Sequence, residues 1–99
     1  MAKATEFVEV ENFTSPGTLR RVEARKYNEM RRAVIAAARK TRPGMTVAEL
    51  SSRVKPLLSE AIFPGGGTAG WWFKCVQLDL EAKKIIARED KAPVRLYLC

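Results

Sequence analysis

The chain has 99 residues, with 18 lysines and arginines against 11 aspartates and glutamates, and its formal net charge is +7. This length predicts one domain with a single core, and a hydrophobic fraction of 46% is typical of a soluble globular protein. The sequence contains no histidine, which excludes Ser-His and Cys-His nucleophile pairs, the H-E-x-x-H motif and Cys/His zinc clusters. We therefore predict no enzyme, no metal site and no cofactor.

The sequence carries no signal for a membrane or a secretory pathway. No apolar run approaches the roughly 20 residues that a membrane-spanning helix needs, and the first residues lack an apolar signal core. The two cysteines do not make a disulfide framework, because Cys75 falls on the apolar face of a predicted helix and Cys99 is the last residue. We expect two free thiols in a reducing cytoplasm.

The positive charge is concentrated in the middle third of the chain. Residues 26–62 carry eight cations and three acids, whereas residues 1–25 are neutral and residues 63–99 carry an excess of two cations. Such a domain attracts polyanions through phosphate contacts and counterion release. The carboxylate pairs Asp79 with Glu81 and Glu89 with Asp90 lie among cations, so we expect them to be solvated at the surface.

Residues 1–25 are predicted to form an N-terminal extension. Residues 7–10 favour a short strand, Ser15-Pro16-Gly17 is a strong turn signal, and residues 19–24 can return as a second strand with arginines pointing outward. The segment is either a short hairpin or a partly ordered tail.

Two helices follow. The first is predicted over Tyr27 to Lys40, where apolar residues recur on one stripe. The second opens at Thr46, which forms a capping box with Glu49. Pro56 cannot donate to the preceding turn, so we expect a kink or break near this proline before the helix ends at residues 63–67. The glycines of this last segment indicate a turn rather than a nucleotide-binding loop, because no lysine follows them.

The third helix is predicted over Thr68 to Lys84, with apolar residues covering most of its circumference. Its narrow polar ridge consists of Lys74, Gln77, Glu81 and Lys84. A recognition helix would present this ridge to the major groove, where lysine and glutamine pair with base edges. Glu81 would repel phosphate, and the alternative is an ordinary solvated face.

The aromatic run Trp71-Trp72-Phe73 cannot share one helix face, since neighbours are about 100° apart. Trp71 lies on the helical repeat with Cys75 and Leu78, so we expect it in the core against the second helix. Trp72 and Phe73 are then the candidates for an exposed partner surface.

After the third helix, Ile85–Glu89 and Val94–Leu98 alternate around a proline-containing turn, which predicts a β-hairpin. A helix that leads directly into a hairpin is typical of the second half of a winged helix. The predicted fold is therefore α+β and mainly α: a winged-helix-like domain over residues 26–99, with three to four helices and a C-terminal β-hairpin, preceded by the N-terminal extension.

Several motifs also carry a resemblance to a known family. They are Asn12, Ser15-Pro16-Gly17, Arg21-Val22, Tyr27-x-x-Met30-Arg31, Phe63-Pro64-Gly65-Gly66 and the run Gly70-Trp71-Trp72-x-Lys74-x-Val76-Gln77-Leu78-Asp79-Leu80-Glu81-Ala82-Lys83. Over about residues 7–98 the chain resembles a group of small, uncharacterised bacterial proteins with a winged-helix-like fold. These commonly have glycine where this chain has Lys84. The resemblance implies a fold and no activity, so no functional residue is carried over.

The leading hypothesis is a protein of the bacterial cytoplasm that binds double-stranded DNA as a homodimer, because symmetric half-sites usually require two copies. The residues expected at the groove, the wing and the flanking phosphates are Lys74, Gln77, Lys84, Arg88, Lys91, Arg95, Arg32, Arg39 and Arg42.

The alternative hypothesis is a protein–protein interaction module that keeps the fold without binding DNA. Its partner surface would contain Trp72 and Phe73. Glu81 in the ridge and the charge excess outside the third helix favour this alternative.

Overall fold

The computed structural model describes residues 6–40, 44–89 and 93–99. This part of the chain forms three α-helices and two small antiparallel sheets, so the fold is α+β. The helices are α1 (Ala24–Ala37), α2 (Val47–Val54) and α3 (Ala69–Ala82). The strands are β1 (Phe7–Val10), β2 (Arg20–Glu23), β3 (Met45–Thr46), β4 (Ile86–Arg88) and β5 (Arg95–Leu98).

The N-terminal segment is a hairpin, which decides between the two alternatives that the sequence left open. β1 and β2 pair antiparallel, with Val8 opposite Val22 and Val10 opposite Arg20. Asn12 supports the connecting turn by accepting a 2.9 Å hydrogen bond from the amide of Thr14. Val10 and Val22 are buried in the same hydrophobic cluster as the helices, so the hairpin shares the core.

Helix α1 begins three residues before the predicted Tyr27 and ends before Lys40. The early start follows from the hairpin, because the amide of Ala24 donates to the carbonyl of Glu6 as the chain leaves β2. The helix ends at Ala37 because Ala38 is extended. The predicted core stripe holds, with Met30 and Val34 fully buried.

Helix α2 confirms both of its local predictions. The amide of Glu49 donates to the Thr46 hydroxyl, and the Glu49 carboxylate accepts from the amide of Thr46, which completes the capping box. The α-helix ends at Val54, and Pro56 lies in a short 3-10 helix over Lys55–Leu57. Leu50 and Val54 before the break are buried in the core, whereas Leu57 beyond the break is exposed.

The segment after the break is held against α1 by hydrogen bonds to an ion pair, Glu29 with Arg32, that lies within α1. Glu29 accepts a 2.7 Å hydrogen bond from the amide of Ser59 and a bidentate pair from Arg32, which also donates to the carbonyl of Leu57. The hydrogen bonds from Arg32 are the main reason that the pKa of Glu29 lies below its usual value.

The C-terminal hairpin is confirmed, with Ile86 opposite Leu98 and Arg88 opposite Leu96. The sheet also contains β3, which the sequence did not predict, and Met45 lies opposite Leu96 in the order β3-β5-β4. Before α3, Gly65 and Gly66 adopt positive φ angles of 62° and 72°, which fits a turn.

The aromatic assignments on α3 were wrong. Trp72 and Phe73 are buried, at 8% and 5% exposure, whereas Trp71 is 49% exposed and does not pack in the core. The core stripe of α3 is Ala69, Trp72, Phe73, Val76 and Leu80. The stripe through Trp71, Cys75 and Leu78 has an equally good helical period, and it faces the N-terminal hairpin instead. Because α3 carries two apolar stripes, its hydrophobic period alone does not indicate which stripe faces the core.

The end of α3 yields a stability prediction. Lys84 has a left-handed φ of 61°, and the amides of Lys84 and Ile85 donate to the carbonyls of Glu81 and Leu80. This is the Schellman pattern, in which glycine is favoured at the position of Lys84. We expect Lys84→Gly to raise the free energy of unfolding by about 1 kcal/mol, measured by chemical denaturation. Lys84→Ala removes the same charge but keeps the Cβ, so a gain of equal size in that variant would contradict the backbone explanation.

A second prediction concerns acid stability. Because the folded-state pKa of Glu29 is lowered from 4.5, its contribution is present above that value and is lost as the pH falls through the folded-state pKa. The wild type should therefore exceed Glu29→Gln in unfolding free energy at about pH 6, and the difference should shrink towards about pH 3. Urea denaturation at several pH values measures this. A difference that is constant with pH would show that the charge of Glu29 does not contribute.

Candidate functional site

Asp79 of α3 is fully buried and holds three segments together. Its carboxylate accepts a 2.9 Å hydrogen bond from the amide of Glu11 after β1, accepts another from the Tyr27 hydroxyl of α1, and lies 2.9 Å from the Lys83 ammonium. Burial, followed by the hydrogen bond to Asp79, raises the pKa of Tyr27 well above its usual value. The expectation that Asp79 is solvated was wrong, because the hairpin covers it.

A second polar network involves Glu81, which is also buried rather than solvated. Its carboxylate accepts hydrogen bonds from Arg88 Nη2 at 2.9 Å and from Gln77 Nε2 at 3.1 Å. Gln77 Oε1 in turn accepts from the Lys74 ammonium at 3.3 Å. The hydrogen bond to Glu81 is the main reason that the pKa of Arg88 is raised.

The loop of the N-terminal hairpin covers this network. The amide of Phe13 donates to the carbonyl of Leu78 at 3.3 Å, and the Arg88 guanidinium lies 4.7 Å from the centre of the Phe13 ring. Gln77 is only 1% exposed. The predicted role of Gln77 at a base edge is wrong for this conformation, since a buried amide cannot enter a DNA groove.

Among the other described residues that were predicted to bind DNA, Lys74 and Arg88 belong to the Glu81 network, and the rest have different surroundings. Lys84 is exposed at the end of α3, and Arg32 is paired with Glu29 on α1. Arg39 and Arg95 line a different cleft, together with Arg53.

The Arg39–Arg53–Arg95 cleft also contains an acid. Glu49 lies 3.7 Å from the guanidinium of Arg95. Three residues of the sequence predictions lie outside the described residues: Arg42 and Lys91, which were predicted to bind DNA, and Asp90, which was expected to be solvated.

A small concave surface lies between the hairpin and the stripe of α3 that contains Trp71, Cys75 and Leu78. We call it the Trp71 cleft. It encloses about 180 Å³. It is lined by Val10, Glu11, Asn12, Thr18, Arg20, Trp71, Lys74, Cys75 and Leu78.

Trp71 forms one wall of this cleft and is fixed by aromatic and cationic neighbours. Its ring meets that of Trp72 edge to face, with centroids 5.0 Å apart, and the Arg20 guanidinium lies 5.9 Å from the Trp71 ring centre. Cys75 lies in the same cleft, and burial raises the pKa of its thiol.

Sequence reasoning missed the Trp71 cleft because it assigned Trp71 to the core. The sequence feature that could have indicated the cleft is the stripe of α3 through Trp71, Cys75 and Leu78, together with the apolar strand residues 8, 10 and 22. Two amphipathic elements of this kind can pack against each other, and they do so here.

Metal and membrane signals are not found in the part of the chain that the structure describes. Residues 6–40, 44–89 and 93–99 contain no group of three or more histidine, cysteine or acidic side chains placed to hold a metal ion. No helix in those ranges has both the length and the apolar character required to cross a bilayer.

The sequence matches a protein family over nearly its whole length. A model of a family of unknown function (DUF6958) covers residues 7–96. The chain belongs to this family. Comparisons with curated proteins and with solved structures give no significant match. The range that matches the family model includes the N-terminal hairpin as well as the three helices.

Replacing Asp79 tests whether its network secures the hairpin. Asp79→Ala leaves the Glu11 amide and the Tyr27 hydroxyl without their buried acceptor and Lys83 without its partner, so we expect a loss of about 3–5 kcal/mol in unfolding free energy. Glu9→Ala, at an exposed position on β1, is the matched control and should change stability by less than about 0.5 kcal/mol. Chemical denaturation measures both. A loss below about 1 kcal/mol for Asp79→Ala would show that the carboxylate is not a principal support.

Proposed function

We propose that this chain is a winged-helix-like protein-interaction module that does not read DNA with its third helix. The element order α1-β3-α2-α3-β4-β5 and the sheet order β3-β5-β4 support the winged-helix-like arrangement. The observation that carries the functional proposal is the burial of Gln77 and Glu81, the two central residues of the polar ridge of α3, between the exposed Lys74 and Lys84.

A recognition helix places its polar side chains against base edges in the major groove. In this chain, Gln77 and Arg88 are committed to Glu81, and Phe13 lies against Arg88. Freeing them for DNA would require the hairpin loop to leave α3 and would expose the carboxylate of Glu81 to phosphates. This cost favours a binding function on another surface.

The absence of histidine supports a non-enzymatic role. The homodimer expected for a symmetric DNA site stays a prediction. Sedimentation equilibrium, which measures the molecular mass in solution, tests it.

Duplex DNA is the second candidate ligand, on a different surface. Arg39, Arg53 and Arg95 surround one cleft, and the chain carries a net charge of +7. Such a cluster can contact phosphates without reading bases. Glu49 at the same cleft opposes this function.

Titration of a random-sequence duplex decides between these candidates. We expect weak binding that falls steeply between about 50 and 200 mM salt, with a dissociation constant above about 1 μM at physiological salt. Replacing Lys74 and Lys84 with alanine should weaken this residual binding no more than replacing Lys40 and Lys55, which are equally exposed cations outside α3.

Two outcomes would contradict the proposal. Submicromolar binding at physiological salt that is lost selectively in the Lys74 and Lys84 variant would restore α3 as a DNA-reading helix. The same tight binding lost selectively in an Arg39 and Arg95 double variant would establish the second candidate. Fluorescence anisotropy of a labelled duplex measures both arms.

A further inference from the structure

We propose that the Trp71 cleft binds a short acidic segment of a partner protein, with one apolar side chain of that segment inserted beside Trp71. This inference rests on the proposed function and names the partner class for it. The cleft combines an apolar floor, an exposed tryptophan and two cations at its rim.

The size and lining of the cleft favour a single side chain as its occupant. Its volume of about 180 Å³ is below the roughly 300–1,000 Å³ of pockets that enclose a cofactor or a drug-sized molecule. Val10, Cys75 and Leu78 provide the apolar surface at its base. An apolar side chain in this position would remove both its own surface and that of Trp71 from water.

Trp71 has the properties of an interface anchor. Tryptophan and arginine are enriched among the few residues that dominate binding energies, and here Arg20 lies against Trp71. The Trp71 ring is held by its edge-to-face contact with the buried Trp72 on a regular helix. A side chain that is already ordered loses little entropy on binding, so Trp71 is prepared to act as a contact surface.

The charge at the rim selects an acidic segment. Arg20 and Lys74 are exposed, and the contacts described for them are to the Trp71 ring and to the neutral amide of Gln77, respectively. Neither contact neutralises a positive charge. Among the described residues, Glu11 is the single acid that lines the cleft, against the cations Arg20 and Lys74, so these side chains carry a net positive charge. Carboxylates on either side of the inserted residue would pair with the two cations.

A nucleic-acid base is a poorer fit. Stacking requires a free aromatic face, and the guanidinium of Arg20 lies over the Trp71 ring. Glu11 at the rim would also repel a phosphate backbone. A second copy of this chain is a further occupant that the experiment distinguishes.

The experiment uses the full chain labelled with ¹⁵N and a blocked peptide that has a phenylalanine between two glutamates on each side. We expect saturable shifts of the Trp71 indole N–H and of the amides of Arg20, Lys74 and Cys75. A peptide with serine in place of phenylalanine should bind at least tenfold more weakly, and so should a peptide with lysines in place of the glutamates.

Variants of the protein make the assignment specific. Trp71→Ala should weaken binding at least tenfold, and Arg20→Ala and Lys74→Ala should each weaken it several-fold. Glu11→Gln should tighten binding, because it removes the acid that opposes the peptide. Glu9→Gln is the matched control, since it removes one exposed acid from the neighbouring strand outside the cleft, and its effect should be smaller than that of Glu11→Gln. Retained dispersion of the Trp72 and Phe73 resonances verifies the fold of each variant.

Several results would overturn this assignment. They are shifts that avoid the Trp71 cleft, equal affinity for the serine peptide, unchanged affinity in Trp71→Ala, or no binding of the acidic peptide at millimolar concentration. Saturation of the cleft by a single-stranded oligonucleotide, or shifts of Trp71 that depend only on protein concentration, would replace the peptide with a nucleic acid or a second copy. These results leave the duplex titration unaffected, so the failure of this assignment is distinguishable from the failure of the interaction-module proposal.

Discussion

The buried carboxylate of Asp79 is the interaction on which the arrangement of this molecule depends. It accepts hydrogen bonds from the main chain after β1 and from Tyr27 on α1, while it lies beside Lys83 on its own helix. A carboxylate is tolerated in a core only when donors satisfy it, so the burial of Asp79 requires the donors of these segments to meet at its carboxylate. The position of the hairpin follows, and the hairpin in turn creates the cover over α3 and one wall of the Trp71 cleft.

The cover changes what α3 can do. With the hairpin loop in place, Glu81 organises Gln77 and Arg88 into an internal network that joins α3 to β4. The hydrogen bonds of a buried polar network are all formed in only one geometry. Such a network therefore specifies how the elements are arranged more than it adds to the free energy of unfolding. In our proposal, the stripe of α3 through Trp71, Cys75 and Leu78, rather than the buried Gln77 and Glu81, is the surface that contacts a partner.

Local rules predicted the elements of this fold well, because their causes lie within a few residues. The capping box at Thr46, the break at Pro56 and the C-terminal hairpin each depend on neighbouring atoms. The surroundings of α3 were not predictable in the same way. Trp71 and Trp72 are adjacent and equally apolar, and the helical period does not show which of the two enters the core. Likewise, nothing local indicates that Glu81 is buried, since its partner Arg88 lies on the following strand.

The net charge of +7 does not by itself indicate that the protein binds a polyanion. A cation excess predicts polyanion binding only where the cations share one face, because steering depends on the summed local potential. Here the cations are dispersed: Arg88 and Lys83 neutralise buried acids, Arg32 secures Glu29, and Arg39 and Arg95 share a cleft with Glu49. The cations beside Trp71, by contrast, adjoin an apolar surface. We therefore propose that this surface binds a short ligand with both acidic and apolar side chains rather than an extended phosphate backbone, because one apolar side chain and one or two carboxylates match the features of the cleft.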